Sequence, residues 1–235
     1  MIDLENEKAY PKGMPERMDC MAPREVFEKE LTELQNQIED MSRMVRETYK
    51  ELLDAFENKD KDAILEIINS DKLFYVRKKE IEGQCLKLIT KQQPIATDLR
   101  TVSSVLKIVT DIERVGNHAG DIGELVLRIK MNLLEDYSVH LGGMITAALE
   151  LFDNAVTAYL DSDLTASKQV IEDDDIVDTL FNKVKEDIIK GLKEEARNAD
   201  EYIDMMMLAK YLEKIGDHAV NIAKWQIFRK EGTLV

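Results

Sequence analysis

From Pro23 onward, apolar residues recur every three or four positions: Phe27, Leu31, Leu34, Ile38, Met41 and Val45, with Leu52 and Phe56 extending the stripe. That spacing lines one face of an α-helix and predicts a first helix over 24–57. Asn58 and Asp60 bracket a turn. Ile64, Ile67, Ile68, then Phe74 or Tyr75, Ile81, Cys85 and Leu88 supply a second long face, predicting one helix that ends before Pro94. Asp98 is placed to cap a third helix, whose stripe takes in Val102, Val105 or Leu106, Val109, Ile112, Val115, Ile122 and Leu125.

The same succession starts again near Ser138. Leu141, Met144, Ala148, Leu151, Phe152, Ala155 and Tyr159 mark a fourth helix. It stops at Asp161, Ser162 and Asp163, whose side-chain oxygens compete for backbone donors. A fifth helix from Leu164 carries Val170, Val177, Leu180, Val184 and Ile188. A sixth, opened by residues 198–201, runs through Ile203, Met206, Leu212, Ile215, Ile222 and Trp225. No proline follows Pro94, so nothing in Ala96 to Val235 forces these helices to break.

The two sets of three are related by a direct repeat. Thr110 to Glu124, TDIERVGNHAGDIGE, lies over AKYLEKIGDHAVNIAK from Ala209: Glu113, Gly116, His118, Ala119 and Ile122 return as Glu213, Gly216, His218, Ala219 and Ile222. Upstream, AILEIINSD ending at Asp71 resembles ASKQVIEDD ending at Asp174, which extends the duplication over a whole three-helix unit. The fold class expected is therefore all-α, a tandem repeat of two antiparallel three-helix bundles. Its parts are an N-terminal extension over 1–23, a first bundle over 24–134 and a second over 138–230.

Composition narrows the function. The 235 residues hold 32 Lys plus Arg against 47 Asp plus Glu, a formal charge of −15, with 44% apolar residues. That length and apolar share suffice for a core without disulfides or structural metal. No basic run offsets the acidic excess, which argues against nucleic acid as a partner. The longest uncharged stretch, Tyr137 to Leu149, has 13 residues, short of the roughly 20 that a membrane-spanning helix needs. No direct membrane insertion is expected, and MIDLENEKAYPKG has neither the basic start nor the apolar core of a secretory signal, so the expected location is the cytoplasm. Cys20 and Cys85 have no C-x-x-C spacing; Cys85 reads as a small core residue and the role of Cys20 stays open.

Candidate chemistry lies on the repeated helices. Glu113, Asn117 and Asp121 are spaced by four, as are Glu213, Asp217 and Asn221, and Asp174 with Asp178. Aligned from the upstream match, the first-half counterpart of that last pair is Asp71 with Tyr75. Stacked carboxylates repel unless a positive charge sits between them, and hard divalent or trivalent cations take oxygen ligands. Two readings stay open at this point: a solvated acidic face neutralised by Arg114 and Lys214, or a metal set to which His118 or His218 adds nitrogen. The ligands do not choose among iron, zinc, magnesium, manganese and calcium. Gly116 and Gly216 sit in helix interiors, where glycine costs about 1 kcal/mol relative to alanine, and imply close helix packing. There is no G-x-x-x-x-G-K-[ST] loop, H-E-x-x-H pair or G-x-S-x-G elbow, and no nucleophile is marked.

QQPIATDLR from Gln92, DIERVGNHAGDI from Asp111, VIEDDDIVDTLFNKV from Val170 and LEKIGDHAVNIA from Leu212 resemble the PhoU family of bacterial phosphate-transport regulators. The paired E-[RK]-[IV]-G-[ND]-H-A segments carry most of that likeness, which covers about Phe27 to Phe228. The resemblance implies two three-helix bundles, association as a homodimer and E/D-x-x-x-D motifs able to take multinuclear metal clusters. By position, it makes metal ligands of Glu213 with Asp217 and Asp174 with Asp178 in the second half. In the first half, it points to Glu113 with Asn117, Asp121 as a substitute, and Asp71. It implies a non-enzymatic cytoplasmic adaptor, in contact with a phosphate ABC-transporter ATPase and a phosphate-sensing histidine kinase, that restrains phosphate uptake and the starvation response. The rival from the residues alone is a metal-dependent phosphohydrolase or metal-storage protein on a helical carboxylate scaffold.

Overall fold

A computed structural model describes residues 23–92, 94–130, 133–134 and 138–234. The expected N-terminal extension and Cys20 lie outside the described residues. Seven α-helices are described end to end, and no strand occurs among the described residues: α1 Pro23–Glu57, α2 Lys61–Ile68, α3 Asp71–Gln92, α4 Ala96–Arg128, α5 Ser138–Leu160, α6 Leu164–Glu194 and α7 Ala199–Glu231, the last entered through a 3-10 turn at Ala196–Asn198. The all-α class and the two bundle-like halves are as expected: α1 to α4 form one, α5 to α7 the other.

The seventh helix corrects the sequence reading, since the second long helix is two helices. Asn69 and Ser70 interrupt it: Asn69 Nδ2 donates to Leu65 O (2.6 Å), and Ser70 Oγ to Ile67 O (2.7 Å), a carbonyl that the Asp71 amide would take in a continuous helix. The turn that leads into this stretch is repeated faithfully. Lys59 and Ser162 both adopt left-handed backbone (φ 57° and 61°). Asp60 and Asp163 then cap the following helices, each accepting from the amides two and three residues on. Asp98 does not perform that service for α4: Ile95 holds the N-cap position, and the Asp98 carboxylate accepts instead from Arg24 Nη1 at 2.5 Å.

The core runs along α4 and α7, which cross the molecule side by side and antiparallel. At 33 residues each, they are about 50 Å long. Ser104 Oγ of α4 donates to Trp225 O of α7 (3.2 Å), and Arg128 forks onto Asp204 near the other end. Ile108, Ile112 and Val115 from α4, and Met205, Ile215 and Ile222 from α7, are fully excluded from solvent. The outer helices supply Val45, Tyr49, Phe152 and Tyr159 at the same depth, the Tyr49 hydroxyl donating to Val115 O at 2.9 Å. Where the apolar stripe left a choice, Phe74 and Val105 are buried, while Tyr75 is half exposed and Leu106 packs at the margin. Met205 fills the core as expected of a methionine, Met206 is half buried and Met207 exposed. Cys85 is buried in the core, which pushes its thiol up to about 12 and keeps it from forming a thiolate.

A candidate carboxylate face and its first-half counterpart

In the second half, α6 lies across α7 at Gly216. A side-chain carbon there would come within 2.6 Å of Asp174 Oδ1, so the missing Cβ is what lets that carboxylate rest on the helix. Asp174 is half buried. Partial loss of solvent raises its carboxyl to about 6, assisted by the negative charges of Asp178, Asp217, Glu213 and Asp175. Asp174, Asp178, Glu213 and Asp217, the four second-half candidates, are thus brought onto one face. Lysines temper the repulsion at Glu213 and Asp217: Lys210 Nζ reaches both Glu213 oxygens at 2.6 Å, and Lys214 bridges Glu213 (3.7 Å) and Asp217. Lys214 therefore takes the neutralising part that its position suggests. As placed, no three His, Cys, Asp or Glu side chains converge on a metal-sized point among the described residues.

The first half repeats this geometry with different chemistry. A Cβ on Gly116 would lie 2.7 Å from three ring carbons of Phe74, so Phe74 occupies the place that Asp174 holds in the second half. This corrects the correspondence drawn from the upstream match. Asp71 is not the counterpart of Asp174, nor Tyr75 of Asp178; the register at this level is the one that relates Glu113 to Glu213, and it puts Lys78 opposite Asp178. The reason is length. From the Asp60 cap to Phe74 there are 14 residues, and from the Asp163 cap to Asp174 only 11. Three extra residues in a continuous helix would advance it by about 4.5 Å and turn it by roughly 300°, rotating every later side chain off the shared face. The break at Asn69 and Ser70 absorbs them.

The remaining first-half candidates are dispersed. Glu113 is buried against α3, where Lys78 Nζ donates to its Oε2 at 2.7 Å. The Asn117 carbonyl oxygen is buried and has no hydrogen-bond partner among the described residues. Asp121 turns to His118, with 3.0 Å between its Oδ2 and the ring Nδ1. Asp71 opens α3, but its side chain lies outside the described residues.

The histidines belong to a third arrangement, between the halves. His218 Nδ1 lies 2.8 Å from Asp111 Oδ1 across the α4 and α7 contact, and the ring of His118 lies 5.1 Å from Tyr211 and 5.7 Å from His218. Because Asp111 and Tyr211 are themselves repeat-related, the two contacts are mates about a pseudo-twofold axis. Burial lowers the His118 pKa against the opposing pull of Asp121, favouring a neutral ring. His140, unpaired in the repeat, meets Asp187 at 2.5 Å on the margin.

Asp174 has a measurable consequence. A carboxyl whose pKa is raised on folding favours the folded state while protonated, so its contribution is complete below pH about 4 and disappears as pH climbs through about 6. Asp174→Asn is expected to remove that dependence. In chelator, the variant should exceed the parent by about 1 kcal/mol at pH 7, a value reduced from the full linkage because the group is half exposed, and by nothing at pH 4. Urea unfolding at the two pH values checks it; a constant difference would show that Asp174 is not under this stress.

These features define a duplicated helical bundle with an inter-helix face of four carboxylates in one half and a buried lysine–glutamate pair at the matching place in the other. The chain belongs to the PhoU family: the PhoU domain model matches residues 38–126 and again 141–226, one match in each half. It is 30% identical over 213 residues to a phosphate-specific transport system accessory protein PhoU homolog of Clostridium acetobutylicum, covering 90% of this chain and 97% of that one. It is 31% identical over 218 residues to the homolog of Borreliella burgdorferi, covering 90% and 98%. Its fold is similar to that of the phosphate transport system regulatory protein PhoU from Streptococcus pneumoniae, with a TM-score of 0.79, 27% identity, and coverage of 89% of this chain and 99% of that one. No helix among the described residues is long and apolar enough to cross a membrane.

Proposed function

We propose that this chain is a negative regulator of phosphate uptake and of the phosphate-starvation response, with no reaction of its own. It acts in the cytoplasm as an adaptor between the ATPase of a phosphate ABC transporter and a phosphate-sensing histidine kinase, and it associates as a homodimer. The observation that carries this reading is likeness over nine-tenths of the chain, through both repeats, to accessory proteins of phosphate-specific transport systems. Rigid helices of about 50 Å give such a protein a long surface, and its charge can set which partner it prefers.

Metal uptake in the second half is part of the proposal. Asp174, Asp178, Glu213 and Asp217 offer oxygen donors to a hard divalent or trivalent cation, and Gly216 provides the clearance that lets Asp174 approach α7. When bound, the ion would supply positive charge beside Asp174, whose carboxyl is raised by the negative charges around it. The residues themselves hold α6 against α7 and set the charge presented to a partner.

The decisive experiment removes the protein from cells grown with ample phosphate and follows phosphate uptake and a starvation-responsive reporter. Both are expected to rise, and tagged protein from the same cells should recover a transporter ATPase or a sensor kinase. Unchanged uptake and reporter, with neither partner recovered, would refute the regulatory reading.

A further inference from the structure

The first half does not fit the metal that the family resemblance implies. Where the second half has Asp174, Asp178, Glu213 and Asp217, the first has Phe74, Lys78, Glu113 and Asn117, so that of these four matching positions only Glu113 carries a carboxylate. That carboxylate already has a cation. Lys78 Nζ lies 2.7 Å from Glu113 Oε2, and the two side chains are only 14% and 7% exposed. The ring of Tyr75 lies 5.4 Å from the same ammonium on its outer side. An incoming ion would meet a fixed positive charge, one engaged carboxylate and one neutral amide, against four carboxylates in the other half, two of them paired with Lys210 and Lys214, whose side chains are 43% exposed.

We infer that Lys78 is the resident counter-cation of the first half, standing where the second half would take a metal ion, so that metal uptake by this chain involves α6 and α7 alone. The ammonium is carried on α3 and cannot diffuse away, so the first half keeps its packing whether or not metal is present. The second-half arm of this inference rests on the metal reading given under Proposed function. The Lys78 arm stands on the ion pair by itself.

The test uses the full chain, stripped with chelator and desalted, with manganese(II) chloride as the probe. Bound manganese is counted by elemental analysis and by electron paramagnetic resonance. Glu113→Gln is expected to keep the parent's stoichiometry, while the double variant D174N/D217N loses most of it. Thermal melting in chelator then examines the pair. Lys78→Met should melt about 5 °C below the parent, because it leaves a buried carboxylate without its cation, and the double variant K78M/E113Q should recover most of that loss. A halving of bound manganese in Glu113→Gln would overturn the inference while leaving the second-half site standing. So would a double variant no more stable than Lys78→Met. If no protein takes up manganese, the metal reading of the second half falls, and the melting comparison alone decides the role of Lys78. Should Lys78→Met fail to fold, folding of the double variant supports the counter-cation role and its failure overturns it.

Discussion

Replacing Phe74 by alanine is expected to cost about 4 kcal/mol, the middle of the range for truncating a fully buried phenylalanine. The ring is 1% exposed and lies directly on Gly116, which has no side chain of its own to refill the space. A protein of this size loses roughly 2–4 °C of melting temperature per kcal/mol, so the midpoint should fall by about 10 °C. Denaturant unfolding measures the loss. A cost below about 1.5 kcal/mol would mean that α3 relaxes onto α4 and that Phe74 is not the wedge between them.

Alanine at the two repeat-related glycines should have opposite effects. At Gly116 the new methyl carbon meets three atoms of the Phe74 ring at 2.7 Å, and a ring enclosed on all sides yields only by moving α3. Overpacking of this kind costs roughly 1–3 kcal/mol, and three contacts this short put it at the upper end; the better helix propensity of alanine returns about 1, so a net loss near 2 is expected. At Gly216 the obstacle at 2.6 Å is a carboxylate oxygen of Asp174, the end of a side chain that can swing toward water. The next contact, with Val177 Cγ1 at 3.5 Å, is ordinary. Gly216→Ala is therefore expected to be as stable as the parent or about 1 kcal/mol more stable. It should lose affinity for manganese, because Asp174 no longer rests on α7. Equal destabilisation of the two variants would contradict the account of why the glycines are there.

The helices themselves were legible in the sequence because a 3.6-residue period in apolar positions has one economical solution, a buried stripe on a helix. Turn chemistry was equally plain at Asp60 and Asp163, where the capping carboxylates act as their positions imply. Less legible was the interruption of the second helix. Asn69 and Ser70 are ordinary enough within a helix that the apolar stripe ran past them, although their tendency to bond back to the chain was the available indication. Asp98 misled for a related reason: a carboxylate near a helix start serves as a cap or as an ion-pair partner, and only the position of Arg24 selects between them.

The carboxylates divide in the same way. Four-residue spacing correctly placed Glu213 with Asp217 and Asp174 with Asp178 on common faces, and the second half brings the two pairs together. In the first half the spacing of Glu113, Asn117 and Asp121 was right, yet the three side chains answer to different neighbours: α3, the packed interior and His118. Lys78 was missed altogether, because aligning the repeats from the upstream side put Asp71 and Tyr75 opposite the second-half acids.

By itself, then, the sequence determined that this protein is helical, duplicated, acidic and related to phosphate-transport regulators, since periodicity, repeats and motifs are properties of order along the chain. Only the tertiary structure decided which residue of one helix touches which residue of the next. Three extra residues before Phe74, absorbed by the break at Asn69 and Ser70, put Phe74 and Lys78 instead of Asp71 and Tyr75 where Asp174 and Asp178 stand, without altering any local pattern. It is that packing register that gives one half a carboxylate over its glycine and the other a phenyl ring with a lysine already bonded to the glutamate.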